Sequence, residues 1–163
     1  MVVQHQLSTG KSLKEQSKIK EGIESPLFSV VQNKDMDKNL EISIVVPVYN
    51  EESLVEELCS RLKSVADTLN RSYEILIVDD GSDDGSFEKL KRISEADKIF
   101  RLVRLTRNFG QQSAVLAGFR ISRGEIVVQL DSDLQNPPEE IPKLLAALTD
   151  DIDLVTTVHK KRQ

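Results

Sequence analysis

The sequence predicts an α/β fold, a mainly parallel sheet with helices on both faces. Three observations point there: strand-like and helix-like patterns alternate from Ile42 onward, the connections between them are short, and the strands read as near-continuous apolar runs, as strands buried on both faces do. In sheets of this kind ligands bind outside the C-terminal ends of the strands. Here those ends run into acid.

The first strand is expected over Ile42-Ser43-Ile44-Val45-Val46-Pro47, a β-branched run that Pro47 should close by removing a ladder donor. The loop Val48-Tyr49-Asn50-Glu51-Glu52 follows. Ser53 and Glu56 have the spacing of a capping box, and Leu54, Leu58, Leu62, Val65 and Leu69 recur at helical spacing, so a helix is predicted from about Leu54 to Leu69. The second strand, Tyr73 to Val78, leads into Asp79-Asp80-Gly81-Ser82-Asp83-Asp84-Gly85-Ser86, with Ser86 a fair N-cap for a helix to about Glu95. A third strand covers Ile99 to Leu105, and Thr106-Arg107-Asn108-Phe109-Gly110 connects it to a helix from Gln111 to Ile121. The small residues Ala114, Ala117 and Gly118 of that helix would allow close approach to the sheet. The stretch EIVVQLDSDLQNPP, Glu125 to Pro138, gives the fourth strand and its acidic end. Beyond it a helix is expected to about Leu148 and a fifth strand over Asp153 to Val158, ahead of the basic tail His159 to Gln163.

Residues 1–40 read differently. Lys, Gln, Ser, Asn and Glu dominate and the apolar residues show no sustained period, so this part is expected to be a flexible leader with a short helix around Ser12 to Glu21. It gathers no signal-peptide pattern, and no apolar run of the chain nears the roughly 18 residues that suggest a membrane span. A cytoplasmic protein is expected. The length of 163 residues suits one domain, and a net charge of −5 argues against a basic nucleic-acid-binding surface. Cys59 is the sole cysteine, which excludes an internal disulfide and leaves an inert thiol as the reading.

Three strand-end loops, Tyr49 to Glu52, Asp79 to Asp84 and Asp131 to Gln135, can converge on one crevice. Asp131, Asp133 and Gln135 are spaced two apart, so their oxygens can point the same way on extended backbone and seat a hard divalent cation such as Mg2+ or Mn2+. An acidic turn ahead of a helix is the alternative for the same residues. A dinucleotide-binding fold lacks its glycine-rich turn here, since Val48-Tyr49-Asn50-Glu51 has no glycine, and there is no GxxxxGK(S/T) phosphate loop. His5 and His159 fall in the leader and the tail, away from any nucleophile. What survives is a carboxylate site with a divalent metal, suited to transfer of a group from a diphosphate leaving portion.

Four motifs then stand in order at the strand ends: VVPVYNEE (Val45 to Glu52), IVDDGSDDGS (Ile77 to Ser86), TRNFGQQSAVLAGF (Thr106 to Phe119) and LDSDLQNPPEEIP (Leu130 to Pro142). Together they resemble family 2 glycosyltransferases of the GT-A fold, most of all the polyprenyl-phosphate glycosyltransferases, the group of dolichol-phosphate mannose synthases and undecaprenyl-phosphate sugar transferases. The resemblance covers about Ile42 to the C-terminus. It implies a Rossmann-like GT-A domain over residues 41–163 that binds a nucleotide-diphosphate sugar with Mg2+ or Mn2+. The sugar would pass to a polyprenyl phosphate at a membrane surface by inverting displacement, with no general base because a lipid phosphate is already anionic.

Residue by residue, the resemblance implies that Pro47, Tyr49, Glu51, Val78, Asp80, Asp131, Ser132 and Asp133 hold the nucleotide sugar. Asp131 and Asp133 would form the catalytic DxD element, with Asp133, Gln135 and Asp131 around the metal. Arg107 matches a basic or polar position near the donor, and Arg162 matches a position for the acceptor phosphate. Glu52, Asp83 and Asp84 are read as solvated loop charge. Relatives continue into an acceptor region and membrane spans at the cytoplasmic face, and they commonly carry an arginine where this chain has His159. The chain is therefore expected to be truncated at its C-terminus and to lack full activity alone. A catalytically inactive module that binds nucleotide or a partner, or a transferase acting on a saccharide hydroxyl, are the alternatives.

Overall fold

The computed structural model describes residues 1–5, 28–30, 40–149 and 154–156. In chain order the elements are β1 (Val2–His5), β2 (Phe28–Val30), β3 (Ile42–Val48), α1 (Val55–Asp67), β4 (Tyr73–Asp79), α2 (Ser86–Ala96), β5 (Phe100–Leu105), α3 (Gln111–Ile121), β6 (Ile126–Gln129), a 3-10 turn (Pro138–Glu140), α4 (Ile141–Ala147) and β7 (Leu154–Thr156). They build one seven-stranded sheet in the order β2-β5-β4-β3-β6-β1-β7. The four central strands β5, β4, β3 and β6 pair in parallel, with Ile44 opposite Ile75 on one side and Val128 on the other. Helical crossovers join them, as parallel neighbours require.

The period-two alternation of the strands sorts their side chains onto two faces. Ile42, Ile44, Val46 and Val48 of β3, with Ile75 and Ile77 of β4 and Val128 of β6, meet Val55, Leu58, Leu62, Val65 and Ala66 of α1, Leu90 of α2 and Ile141 and Leu144 of α4. This is the larger core. On the other face Val45, Leu76, Val78, Val103, Leu105 and Val127 meet Ala114 and Ala117 of α3. The predicted close approach of this helix is present, because a Cβ on Gly118 would stand 2.3 Å from Val45 Cγ1. Fully burying an aliphatic side chain is worth about 1.5–3 kcal/mol, so these rows are the main favourable contribution to stability. Cys59 lies in the larger core, where burial pushes its thiol up to about 12.

Several expectations need correction. The leader is not wholly without structure: β1 pairs antiparallel with β6 and β7, and β2 pairs antiparallel with β5. The fifth expected strand, β7, therefore joins the sheet through β1 rather than through a parallel neighbour. The expected helix around Ser12 to Glu21 lies outside the described residues.

β3 ends at Val48, one residue past Pro47 and close to it as expected, although Pro47 itself is still within the strand. Val48 O accepts from Asp80 N–H and Val45 O from Leu130 N–H, so alternate residues of β3 turn toward β4 and β6. Pro47 shares the side of Val45 and lies past the last β3–β6 pair, Val45 with Gln129, where no donor is needed. The capping box is also absent: α1 starts on Leu54 without a side-chain cap, and Glu51 O accepts from the N–H groups of Leu54 and Val55 instead. Ser86 is the first residue of α2 rather than its cap.

The start of the strands carries a polar network that periodicity does not reveal. Glu74, fully buried, accepts from Ser43 Oγ at 2.7 Å and from Arg101 Nη1 at 2.6 Å. The Arg123 N–H donates to Glu74 at 2.9 Å and the Gly124 N–H to Ser43 Oγ at 2.8 Å. The ion pair thus ties β3, β4 and β5 to the connection that leads into β6. A Cβ on Gly124 would meet Ser43 N at 2.5 Å, which makes glycine necessary for that approach.

Candidate functional site

At the opposite edge of the sheet three loops are laced together. The loop after β3 turns through Asn50 with a positive φ of 53°, a conformation Asn tolerates better than most residues. Its backbone is then handed to the loop after β4: Asn50 N–H donates to Ser82 Oγ, Glu51 N–H to Ser86 Oγ and Glu52 N–H to Asp84 Oδ2. Asn50 and Asp83 exchange a reciprocal pair, Nδ2 to Oδ1 at 2.7 Å and N–H to Oδ1 at 3.0 Å. Glu52 closes the lacing by accepting from Gly85 N–H, with Lys89 Nζ 3.8 Å from its carboxylate. Glu52, Asp83 and Asp84 are therefore not idle solvated charges. They join two loops.

Asp80 fastens the third loop. It is 2 % exposed, and its Oδ1 and Oδ2 accept at 2.8 Å from the N–H groups of Phe109 and Gly110. Each carboxylate oxygen retains a further lone pair. Gly81, at φ 70°, lets the loops touch: a Cβ there would lie 2.5 Å from the backbone carbon of Arg107 and 2.8 Å from Asn108 N. Behind this contact Asp79 is fully buried, accepts from Ser82 N–H, and has Arg104 Nε 3.2 Å from its Oδ2 without hydrogen-bond alignment. Burial raises the Asp79 pKa above its ordinary value, against the bond to Ser82 and the Arg104 charge, which lower it. The Arg104 guanidinium also lies 4.1 Å from the centre of the Phe87 ring.

The acidic end of β6 completes the wall. Asp131 Oδ1 accepts from Gln111 Nε2 at 2.5 Å and from Gln129 Nε2 at 2.9 Å. Asp133 Oδ1 accepts from Gln135 N–H at 3.0 Å, closing a tight turn in which Leu134 takes a φ of 57°. Leu134 packs against the larger core, which holds the turn in this uncommon conformation.

Between the loops lies a cavity of about 340 Å³ lined by Pro47, Val48, Tyr49, Glu51, Asp80, Asn108, Gly110, Gln111, Asp131, Ser132 and Asp133. Four carboxylates and no Lys or Arg stand among these residues. A second cavity, of about 390 Å³, runs along α3 past Val115, Leu116 and Phe119 and shares Gln111 and Asp131 with the first. Of the residues expected at the site, Pro47, Tyr49, Glu51, Asp80, Asp131, Ser132 and Asp133 line the first cavity. Val78 does not; its side chain is buried under α3. Gln135 is exposed and outside the lining, and Arg107 lies over the Phe109 ring at 4.7 Å, also outside it. His159 and Arg162 fall outside the described residues. Val48, Asn108, Gly110 and Gln111 line the cavity without having been anticipated as site residues; the last three fall within the motif Thr106 to Phe119, where Gly110 takes φ 91°.

Among the described residues no three His, Cys, Asp or Glu side chains gather closely enough to hold an ion by themselves. The oxygen donors of Asp131 and Asp133 fit a hard cation that takes its remaining ligands from a phosphate or water, the usual habit of Mg2+. Within the described residues no helix is long and apolar enough to cross a membrane.

The chain is 44% identical over 124 residues to an undecaprenyl-phosphate 4-deoxy-4-formamido-L-arabinose transferase of Aeromonas hydrophila, covering 75% of this chain and 38% of that protein. The transferase of the same description from Klebsiella pneumoniae is 47% identical over 123 residues, with the same coverage. The chain thus spans well under half the length of these relatives. Among solved structures it is similar to the mannosyltransferase PcManGT from Pyrobaculum calidifontis in complex with GDP-Man and Mn2+, with a TM-score of 0.53 and 26% identity, covering 78% of this chain and 36% of that one. Glucosyl-3-phosphoglycerate synthase from Mycobacterium tuberculosis, in complex with Mn2+, UDP and glucosyl-3-phosphoglycerate, gives a TM-score of 0.51 at 25% identity, covering 74% of this chain and 47% of that one. The family model for glycosyl transferase family 2 matches residues 43–163, from the first central strand through the loops that enclose the cavity, and the chain belongs to that family.

Proposed function

We propose that residues 41–163 are the donor-binding part of a sugar transferase that takes a nucleotide-diphosphate sugar and passes the sugar to a polyprenyl phosphate at the cytoplasmic face of a membrane. The observation that carries this reading is the cavity at the sheet edge, with Glu51, Asp80, Asp131 and Asp133 in its wall and no basic side chain. A diphosphate placed there alone would meet like charge from every side. A divalent cation between the carboxylates and the diphosphate reverses the sign of that interaction. Mg2+ or Mn2+, when bound, would neutralise charge developing on the departing diphosphate.

The chain's own residues supply the rest. Asp133 and Asp131 offer carboxylate oxygens toward the ion, with Ser132 between them in the lining and Gln135, two residues past Asp133, able to add an oxygen only by turning in from outside it. Pro47, Tyr49, Glu51 and Ser132 surround the nucleotide, and Asp80 shapes the base side of the pocket by holding the Phe109–Gly110 backbone. The description of the arabinose transferases supports undecaprenyl phosphate as the kind of acceptor, and the Mn2+ complexes of the two solved relatives support a divalent ion. An anionic phosphate acceptor needs no proton removed, so inverting displacement needs no general base. The acceptor phosphate is assigned to Arg162 and to residues that longer relatives carry beyond this span.

Calorimetry with UDP or GDP in Mn2+ is the test. The parent is expected to bind, and Asp133→Ala to lose at least tenfold in affinity while remaining folded. Equal binding by both proteins would refute the metal-diphosphate assignment.

A further inference from the structure

Asp131 differs from the other carboxylates of the cavity in how it is held. Its Oδ1 takes two amide donors, Gln111 Nε2 at 2.5 Å and Gln129 Nε2 at 2.9 Å, and among the described residues its Oδ2 takes none. The donors come from different elements: Gln111 is the first residue of α3 and Gln129 the last of β6. Gln129 follows Val127 on the face covered by α3, and both amides also border the second cavity. Asp133 has nothing comparable: among the described residues its carboxylate accepts only from a backbone N–H within its own turn.

We propose that Gln111 and Gln129 are positioning residues that clamp Oδ1 of Asp131 so that Oδ2 is the atom offered to the ligand. The inference rests on the donor-site reading above. An unrestrained Asp can turn about two side-chain bonds and bind a cation through either oxygen or both. Two neutral donors on one oxygen remove that freedom without adding charge to a site that must also accept a diphosphate. Lysine at either position would neutralise Asp131 and compete with the cation, whereas an amide leaves the full negative charge available. The same clamp joins the start of α3 to the end of β6, so the loop of Asn108 and Gly110 and the loop of Asp131 and Asp133 keep a constant separation across the cavity.

Two measurements test this. The first needs no ligand: in side-chain amide NMR spectra, Asp131→Asn is expected to shift the NH2 signals of both Gln111 and Gln129, and unshifted signals would overturn the clamp. The second is titration of UDP and of GDP with and without MnCl2 into the parent, Gln111→Met and Gln129→Met, with melting temperature as the control for folding. Each variant is expected to weaken the Mn2+-dependent affinity about tenfold, the usual effect of losing a partner that orients a metal ligand, by more than any change in residual metal-free affinity, and to leave the melting temperature near the parent's. Mn2+-dependent affinities within twofold of the parent in both variants would overturn the proposal. So would an equal loss with and without the metal, which marks a general structural role. A parent with no Mn2+-dependent binding refutes the donor-site reading, and with it the clamp's role toward a ligand; the amide shifts then judge the clamp by itself.

Discussion

Gly81→Ala is expected to be far more damaging than Gly85→Ala, although both glycines lie in the same loop and both lack room for a methyl group. At Gly81 the backbone is left-handed, with φ 70°, which costs an L-residue about 1 kcal/mol. The added Cβ would also meet the Arg107 carbon at 2.5 Å, Arg107 Cα at 2.7 Å and Asn108 N at 2.8 Å, all backbone atoms of a loop anchored by Asp80. Overpacking of this kind costs about 1–3 kcal/mol, so the total is roughly 2–4 kcal/mol. At Gly85 φ is −75°, open to any residue, and the Cβ would meet the far end of the Glu52 side chain at 2.4 Å. That carboxylate can swing away, losing an exposed bond of 3.3 Å to Gly85 N–H and a 3.8 Å surface ion pair with Lys89, together worth about 1 kcal/mol. Urea denaturation of the two variants measures the difference, and calorimetry with nucleotide and Mn2+ follows the site. Gly81→Ala should also weaken nucleotide binding where the protein is still folded, because the loop of Asn108 and Gly110 must move. Equal destabilisation by the two substitutions, or a Gly81→Ala cost below about 1 kcal/mol, would refute the close-approach argument.

Two further outcomes follow from buried charge. Glu74→Gln removes the charge partner of the buried Arg101 and should cost about 3–5 kcal/mol by urea midpoint, while nucleotide binding in the folded fraction stays unchanged because the pair lies at the far edge of the sheet. A loss below about 1 kcal/mol would contradict this account of the network. For Asp79, burial raises the folded-state pKa above the unfolded one, so the native state holds a proton more tightly and this group's contribution falls as pH rises from the ordinary carboxylate value through the raised one. Asp79→Asn should therefore gain in stability relative to the parent as pH increases across that window, read from paired denaturation curves. A gap between the proteins that stays constant with pH would show that Asp79 does not titrate there.

The central sheet was legible because its signal is local. Ile42 to Val48, Tyr73 to Asp79 and Phe100 to Leu105 are apolar runs whose type can be read without knowing their neighbours, and Gln111–Ile121 matches its expected helix at both ends. The convergence of Asp80, Asp131 and Asp133 on one cavity was legible for the same reason, since they follow strands, and strand ends of a parallel sheet converge by topology alone. What escaped depends on partners distant in sequence. Val2–His5 is four residues long, and only the open edge of β6 makes it a strand. Ser43, Glu74 and Arg101 interrupt apolar runs singly, and nothing local shows that they meet in three dimensions. Ser53 had the spacing of a cap, yet backbone acceptance by Glu51 took its place once the loop was tied to Ser82, Asp84 and Ser86. Gln111 looked like an ordinary first residue of a helix; its hydrogen bond to Asp131, twenty residues away, has no local sign.

The central claim, that this cavity holds a nucleoside diphosphate through a divalent cation, is tested most directly by one titration of UDP and GDP into the chain with Mn2+ and again with excess EDTA. Saturable binding of at least one nucleotide in Mn2+, lost in EDTA and restored by added Mn2+ or Mg2+, is the expected result. Undiminished binding in EDTA, or none of either nucleotide in Mn2+ by a chain that remains folded, would contradict it.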